Sequence, residues 1–215
     1  METSLTLFGC IRHSRTLWNE EKRVQGWQDS PLTDEGKRLA RTWGKQLAAL
    51  PWQRILASDL ARARSTAELI NATLSLPLHL DARLREQDWG EWSGLLYHDL
   101  LTSHQEEFSR QQARGWDFTP PGGESRHQVL KRSRQALHDA AKCWRGEQIL
   151  VVSHEGVIRC LACHLAGQAF MPGEPHLLRE WHLHCIGMRG EGMILEKLNA
   201  LSLEQPARNR PFSLF

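Results

Sequence analysis

The chain has 215 residues, with 27 lysines and arginines against 25 aspartates and glutamates, a formal net charge of +2, and 40% hydrophobic residues. That length accommodates one domain with a substantial core, and the near-balanced, dispersed charge gives no general case for nucleic-acid binding. The start of the chain lacks a basic leader, and its first apolar run is broken at Arg12 too early for a signal peptide or membrane span, so a cytoplasmic protein without membrane contacts is expected.

In chain order, Leu5 to Ile11 has the length and the β-branched and aromatic content of a buried strand. It stops at Arg12-His13-Ser14-Arg15. In an open α/β sheet, ligands bind at the carboxyl ends of strands, so this tip is a candidate site. Asp29-Ser30-Pro31-Leu32-Thr33 reads as a turn, with Thr33 as N-cap of a helix whose stripe is Leu39, Trp43, Leu47 and Leu50, ended by Pro51. Arg54–Ala57 is a second strand. It leads to Ser58, a suitable N-cap, and to the helical stripe Leu60, Ala63, Ala67, Ile70 and Leu74. Arg62 then lies in the first turns of that helix, where free N–H groups and the dipole favour anions.

Pro77–Arg83 alternates as a short strand leading to Glu86. From Glu86 to about Gly123 the chain resembles an insertion over the site, with a helical-looking stretch Leu95–Ala113, few apolar residues, and the breakers Pro120-Pro121-Gly122-Gly123. It is expected to be an exposed lid. Glu86 and Glu91 are its candidate carboxylates, and desolvation would raise the pKa of a general acid there toward working pH. After Glu124-Ser125 a helix buries Val129, Leu130, Leu137, Ala141 and Trp144. It feeds the strand Gln148–Val152, which ends in Ser153-His154-Glu155-Gly156 before an apolar helix, Val157–Gly167. Two strands thus each present a histidine at the tip.

Cys160-Leu161-Ala162-Cys163-His164 matches a haem-attachment pattern, but it lies in an apolar helix without an export signal. His182 and His184 would share one face of a strand without completing a metal-ligand set. The five dispersed cysteines fit reduced thiols. Glu180–Met188 and Met193–Asn199, flanking Arg189-Gly190-Glu191-Gly192, read as a hairpin at the sheet edge. The tail beyond Gln205 reads as irregular. These pieces predict one domain over residues 1–215 with a three-layer α/β/α architecture, a mostly parallel sheet and helices on both faces.

The blocks Arg12-His13, Trp18-Asn19, Gln25 to Thr33, Ser58-Asp59-Leu60-Ala61-Arg62-Ala63, Leu84 to Gly94, Pro121 to Ser125 and Val152-Ser153-His154 occur in the order of the histidine phosphatase superfamily, which includes phosphoglycerate mutases. The chain resembles that family from about Leu5 to about Gly167. The resemblance implies that His13 is the nucleophile, that Arg12, Arg62 and His154 hold phosphoryl oxygens, and that Glu86 is the general acid. It also implies substrate contacts from Asn19, Gln25 and Gly26, with no cofactor and no metal. Trp18, Trp27, Trp89 and Trp92 fall inside these blocks, as core anchors or as an aromatic substrate wall.

Two residues depart from the family pattern. Ser14 stands where glycine is usual, so its Cβ narrows the pocket or imposes a different local geometry. Arg15 replaces an acidic or amide residue, and it extends the anion clamp or faces solvent. The segment Glu86–Gly94 resembles small phosphatases, including α-ribazole phosphatase-like members, more than mutases, which continue with Gly-Leu-Asn-Lys. Hydrolysis of a small phosphorylated substrate is therefore the favoured reading. Mutase-type transfer and non-catalytic phosphate-ester binding are the alternatives. Oligomeric state cannot be read from the sequence.

Overall fold

A computed structural model describes residues 4–203. Six strands form one sheet: β1 (Thr6–Arg12), β2 (Arg54–Ala57), β3 (Leu78–Leu80), β4 (Gln148–Ser153), β5 (His182–Arg189) and β6 (Gly192–Ser202). Their order is β3-β2-β4-β1-β5-β6. The first four are mutually parallel, β5 is antiparallel to β1, and β6 returns antiparallel to β5 at the sheet edge.

The alternation of side chains across β1 explains the three layers. Leu7 and Ile11 face a core with α2 (Asp34–Leu47) and α3 (Ala61–Leu74). Phe8 and Cys10 face the opposite core, under α6 (Arg126–Cys143) and α7 (Glu155–Leu165). Gly9 lets the Trp52 ring lie against the strand, where any Cβ would collide with it. Fully buried Trp43 donates its Nε1–H to the Leu203 carbonyl at 2.8 Å, tying α2 to the chain beyond β6.

Several boundaries differ from expectation. Thr33 caps α2, but the helix ends at Leu47, before Leu50. Ser58 does not cap α3: the helix starts after Leu60, and the N–H groups of Ala61 and Arg62 go to the Asp29 carboxylate at 2.7 and 3.4 Å. That helix start is therefore filled by the protein's own carboxylate. The Pro77–Arg83 strand shrinks to three residues followed by a 3₁₀ turn, Ala82–Leu84.

Leu95–Ala113 is two helices, α4 (Tyr97–Thr102) and α5 (Gln105–Gln112), after the short N-terminal α1 (Leu17–Glu20). The break lets Leu100 and Phe108 both reach a small cluster with Val24, Trp92 and Phe118. Residues 86–123 thus own an aromatic core, contrary to the low apolar content expected of them. The tail after Gln205 lies outside the described residues. No helix among the described residues is long and apolar enough to cross a membrane.

Candidate active site

The register of three parallel strands builds the floor of the site. Arg12 on β1 pairs with Ser153 on β4, and Ala57 on β2 pairs with Val152, so the residues that follow emerge side by side. His13 N–H donates to the Ser153 carbonyl at 2.9 Å, and Ser58 N–H to the Val152 carbonyl at 3.0 Å. His13 and His154 are buried, with ring centroids 5.2 Å apart.

His13 Nδ1 lies 2.8 Å from the Ser14 carbonyl oxygen. A carbonyl only accepts, so Nδ1 carries the proton and Nε2 keeps the lone pair. Burial, and then the charges of Arg12 and Arg62, hold the His13 pKa well below the usual 6.5. The imidazole is neutral and available as a nucleophile. His154 is pushed the same way by burial and then by Arg62 and His13. Its Nε2 is 2.8 Å from Ser58 Oγ, which also accepts from Leu60 N–H at 3.3 Å just ahead of α3.

Around His13, Arg12 Nε, Arg62 Nε and His154 Nδ1 are buried without a hydrogen-bond partner. The rest of each side chain is fixed. Arg12 Nη1 donates to Glu155 Oε2 at 2.7 Å. Arg62 is locked by Asp29 Oδ1 at 2.8 Å and by the carbonyls of Gln28 and Gly26 at 3.0 and 2.7 Å. Unpaired buried polar groups are costly, so three of them beside one neutral imidazole mark a cage suited to an anion.

Glu86 faces this cage from the segment that follows β3. Its Oε1 accepts from Gln87 N–H at 2.8 Å and its Oε2 from Gly156 N–H at 3.3 Å. A Cβ at Gly156 would run into Glu86 Oε1 and displace the carboxylate from this position. Burial raises the Glu86 pKa, and it outweighs the opposing pull of those N–H groups, Arg62 and Arg12. Glu91 is exposed and lies outside the cleft lining.

The cleft encloses about 510 Å³ and is lined by Arg12, His13, Arg62 and Glu86 at one end. Asn19, Gln25 and Gly26 also line it. Asn19 Oδ1 is spent on Thr16 N–H and Oγ–H, both at 3.0 Å, which leaves its amide N–H₂ as the donor. Gly26 acts through its carbonyl on Arg62. Trp18 and Trp89 line the cleft, Trp92 is core, and exposed Trp27 donates to the Glu86 carbonyl at 2.7 Å.

The two departures from the family pattern resolve differently. Ser14 turns its hydroxyl away, to the Gly36 carbonyl at 2.8 Å, so its Cβ does not narrow the cleft. Arg15 lies outside the cleft lining, its guanidinium 6.0 Å from the Trp181 ring centroid.

The metal-like patterns lead elsewhere. Cys160 and Cys163 are buried in α7, with His164 exposed. His184 Nδ1 accepts from Asn199 N–H at 3.2 Å. Among the described residues no three His, Cys, Asp or Glu side chains are grouped to hold a metal ion.

Sequence reading missed Arg132. From α6 it donates to the carbonyls of Arg83, Arg85 and Glu86 at 2.7, 2.5 and 2.8 Å, and it grips Glu124 with both Nε and Nη2. It thereby holds the backbone that carries Glu86. The clamps of Glu155 on Arg12 and Asp29 on Arg62 were also missed, since each joins residues distant in sequence or carries no local pattern.

The histidine phosphatase superfamily (branch 1) model matches residues 9–201. The chain belongs to the histidine phosphatase superfamily. It is 37% identical over 158 residues, 73% of each chain, to the protein named Probable phosphoglycerate mutase GpmB of Citrobacter koseri. Bacillus stearothermophilus YhfR matches with a TM-score of 0.83 and 28% identity, covering 92% of this chain and 98% of that one. The α-ribazole phosphatase of Shigella flexneri matches with a TM-score of 0.76 and 27% identity over 94% of this chain and all (100%) of that one. The superfamily fold, a mixed sheet flanked by helices, is the one predicted from sequence. Its solved neighbours include phosphatases, whereas the sequence relative bears a mutase name.

Proposed function

We propose that the protein hydrolyses a small phosphorylated metabolite through a phosphohistidine on His13 Nε2. The observation that carries this reading is the ring of buried, unpartnered nitrogens of Arg12, Arg62 and His154 around a neutral imidazole. In the first step the Nε2 lone pair attacks phosphorus and the ester P–O bond breaks. The Arg12 and Arg62 guanidinium groups and the His154 N–H stabilise charge on the equatorial oxygens. Glu86, protonated, gives its proton to the leaving alkoxide. Its carboxylate then takes a proton from water, whose oxygen attacks phosphorus. The N–P bond breaks, and inorganic phosphate leaves with His13 restored to its neutral form.

In this scheme the protein's own cations supply the positive charge and no metal is required. Residues 86–123 serve as a lid of one domain, placing Glu86 on the leaving-group side. Asn19 and Gln25 contact the transferred group or the alcohol beside it.

The test is phosphate release from a panel of phosphomonoesters with EDTA present, comparing the parent with His13→Ala and trapping the phosphoenzyme by acid-free mass spectrometry. Release that persists in EDTA and falls by on the order of 10⁴-fold or more in His13→Ala, with phosphate mapped to His13, is the expected result. Transfer to a second hydroxyl that outruns release of phosphate would replace hydrolysis with the mutase reading. Absence of both activities in the folded parent would leave ester binding.

A further inference from the structure

The cleft does not end at the phosphoryl cage. α7 runs along it: Gly156 touches Glu86, and Arg159 and Cys160, about one helical turn further on, line the far end. There Arg159 meets Arg126, the first residue of α6. The Arg126 guanidinium carbon lies 4.2 Å from the Phe118 ring centroid and 4.3 Å from that of Phe170, and the Arg159 carbon lies 4.6 Å from Phe170. Phe170 holds φ at +65°, a conformation that bulky side chains rarely adopt, and so brings its ring to both arginines.

This pair lacks the carboxylate partner that most of the buried and half-buried arginines have. Arg12, Arg54, Arg62, Arg83, Arg85 and Arg132 each pair with a carboxylate. Near Arg126 lie the Arg159 guanidinium and the neutral thiols of Cys160 and Cys163, both pushed up by burial, and burial followed by Arg159 pulls the Arg126 pKa down to about 10. Its Nη1 donates to the carbonyls of Gly115 and Phe170 at 2.9 and 3.3 Å, which fixes the group without neutralising it. Two like charges side by side, desolvated by aromatic rings and without a counter-ion among the described residues, are stabilised by an anion that arrives with the ligand. Stacking on a ring leaves the N–H edges of guanidinium free to donate.

We infer that Arg126 and Arg159 form a second anion subsite, so that the substrate carries, besides the phosphoryl group at His13, a carboxylate or second phosphate at the other end of an apolar or aromatic body. This rests on the phosphohydrolase reading of the same cleft. The body would lie along Trp89, Phe118 and Phe170, which line the space between the two ends.

The test measures calorimetric affinity for three ligands: para-carboxyphenyl phosphate, para-phenylene bisphosphate and para-carbamoylphenyl phosphate, whose para group is uncharged. The protein is the full chain carrying His13→Ala, so that no ester is consumed. At least one of the two probes with an anionic para group should bind about tenfold more tightly than the carbamoyl ester, the size of one charge-assisted interaction. A gap seen with both probes, or with the bisphosphate alone, tells whether a carboxylate is accepted. The gap should shrink below about twofold when Arg126→Gln or Arg159→Gln is added. Should Arg126→Gln not fold, Arg159→Gln decides.

Equal affinity for probes with charged and uncharged para groups, binding of none, or a gap unchanged by the substitutions would overturn the subsite. Hydrolysis of the carbamoyl ester by the parent tests the phosphohydrolase reading separately. Absence of hydrolysis with the affinity gap intact sinks that reading alone, and hydrolysis without a gap sinks the subsite alone.

Discussion

The floor and the roof of the cleft are held together by different physics. The floor, at the ends of β1, β2 and β4, consists of buried polar groups whose positions are fixed by hydrogen bonds: His13 to Ser14, His154 to Ser58, Arg62 to Asp29, Gln28 and Gly26. The roof, residues 86–123, is fixed by apolar packing. Trp92 and Phe118 each meet Phe108 with their rings tilted or edge-on, at 5.7 and 6.2 Å between centroids. Backbone bonds from Val24 to Leu95 and from Tyr97 to Lys22 pin it to the loop after α1. The floor has no freedom to vary without losing its unpaired donors, whereas the roof can be repacked in many ways and still close the cleft. In the proposed reading, phosphoryl chemistry belongs to the floor, and the rest of the substrate meets the roof together with the side chains that α6 and α7 add to the cleft. Glu86 stands at their seam, its backbone held by Arg132 and its carboxylate by Gly156.

Removing the acid at the seam should have the largest effect on the comparison. Glu86→Gln should lower kcat/KM by about 10²- to 10⁴-fold for esters of poor leaving alcohols, and much less for para-nitrophenyl phosphate, which leaves without a proton. The sign of the pH dependence follows from the role. The acid works while protonated, so kcat/KM in the parent falls as pH rises through the raised Glu86 pKa. In Glu86→Gln that alkaline limb should disappear. A limb that persists would assign the acid to another group. Arg132→Lys should act through the same residue, because one ammonium cannot span three carbonyls and also grip Glu124. A loss of about tenfold in kcat/KM is expected, with the alkaline limb displaced. A uniform loss of folded protein with an unshifted limb would mean a purely structural role.

The floor was largely legible in the sequence because strand tips announce themselves: an apolar run ends abruptly in Arg12-His13, and another in Ser153-His154. What tunes those residues was not. Asp29 reaches Arg62 from 33 residues away and Arg132 reaches the Glu86 backbone from 46, and no local periodicity encodes a contact across such a gap. Ser58 reads in sequence as a helix cap, and only tertiary placement adds its contact with His154. The roof was misjudged because its apolar residues, Trp92, Leu100, Phe108 and Phe118, are spread too thinly to form a stripe, yet they converge once α4 and α5 separate.

Breaking the roof without touching the floor tests the contrast from the other side. Phe118→Ala empties the centre of the aromatic cluster, a loss of about 3–5 kcal/mol of local packing. Limited proteolysis should then cut within 86–123 several times faster, while kcat for a minimal ester such as phenyl phosphate falls by less than about tenfold. Cleavage elsewhere at the same rate would show that roof and sheet unfold as one unit.

The smallest effect expected comes from the floor alone, as a dependence of stability on pH. His13 and His154 are buried and neutral, with folded pKa values well below 6.5, so the unfolded chain binds more protons whenever pH drops below that value. Stability is then undiminished above about pH 7 and is lost progressively on acidification, by about 1 kcal/mol per histidine at about pH 5.5. His184, pushed down to about 4 by burial and His182, adds a loss of the same sign, so the parent's total fall does not isolate the site. The informative quantity is a difference. Urea unfolding of the parent and of His154→Gln, each at about pH 7.5 and about pH 5.5, should show a fall in the variant smaller by about 1 kcal/mol. An equal fall in both would mean that His154 keeps its proton in the folded state. Its Nδ1 would then meet an incoming phosphate as part of a cation, and the floor would carry one more positive charge than Arg12 and Arg62 provide.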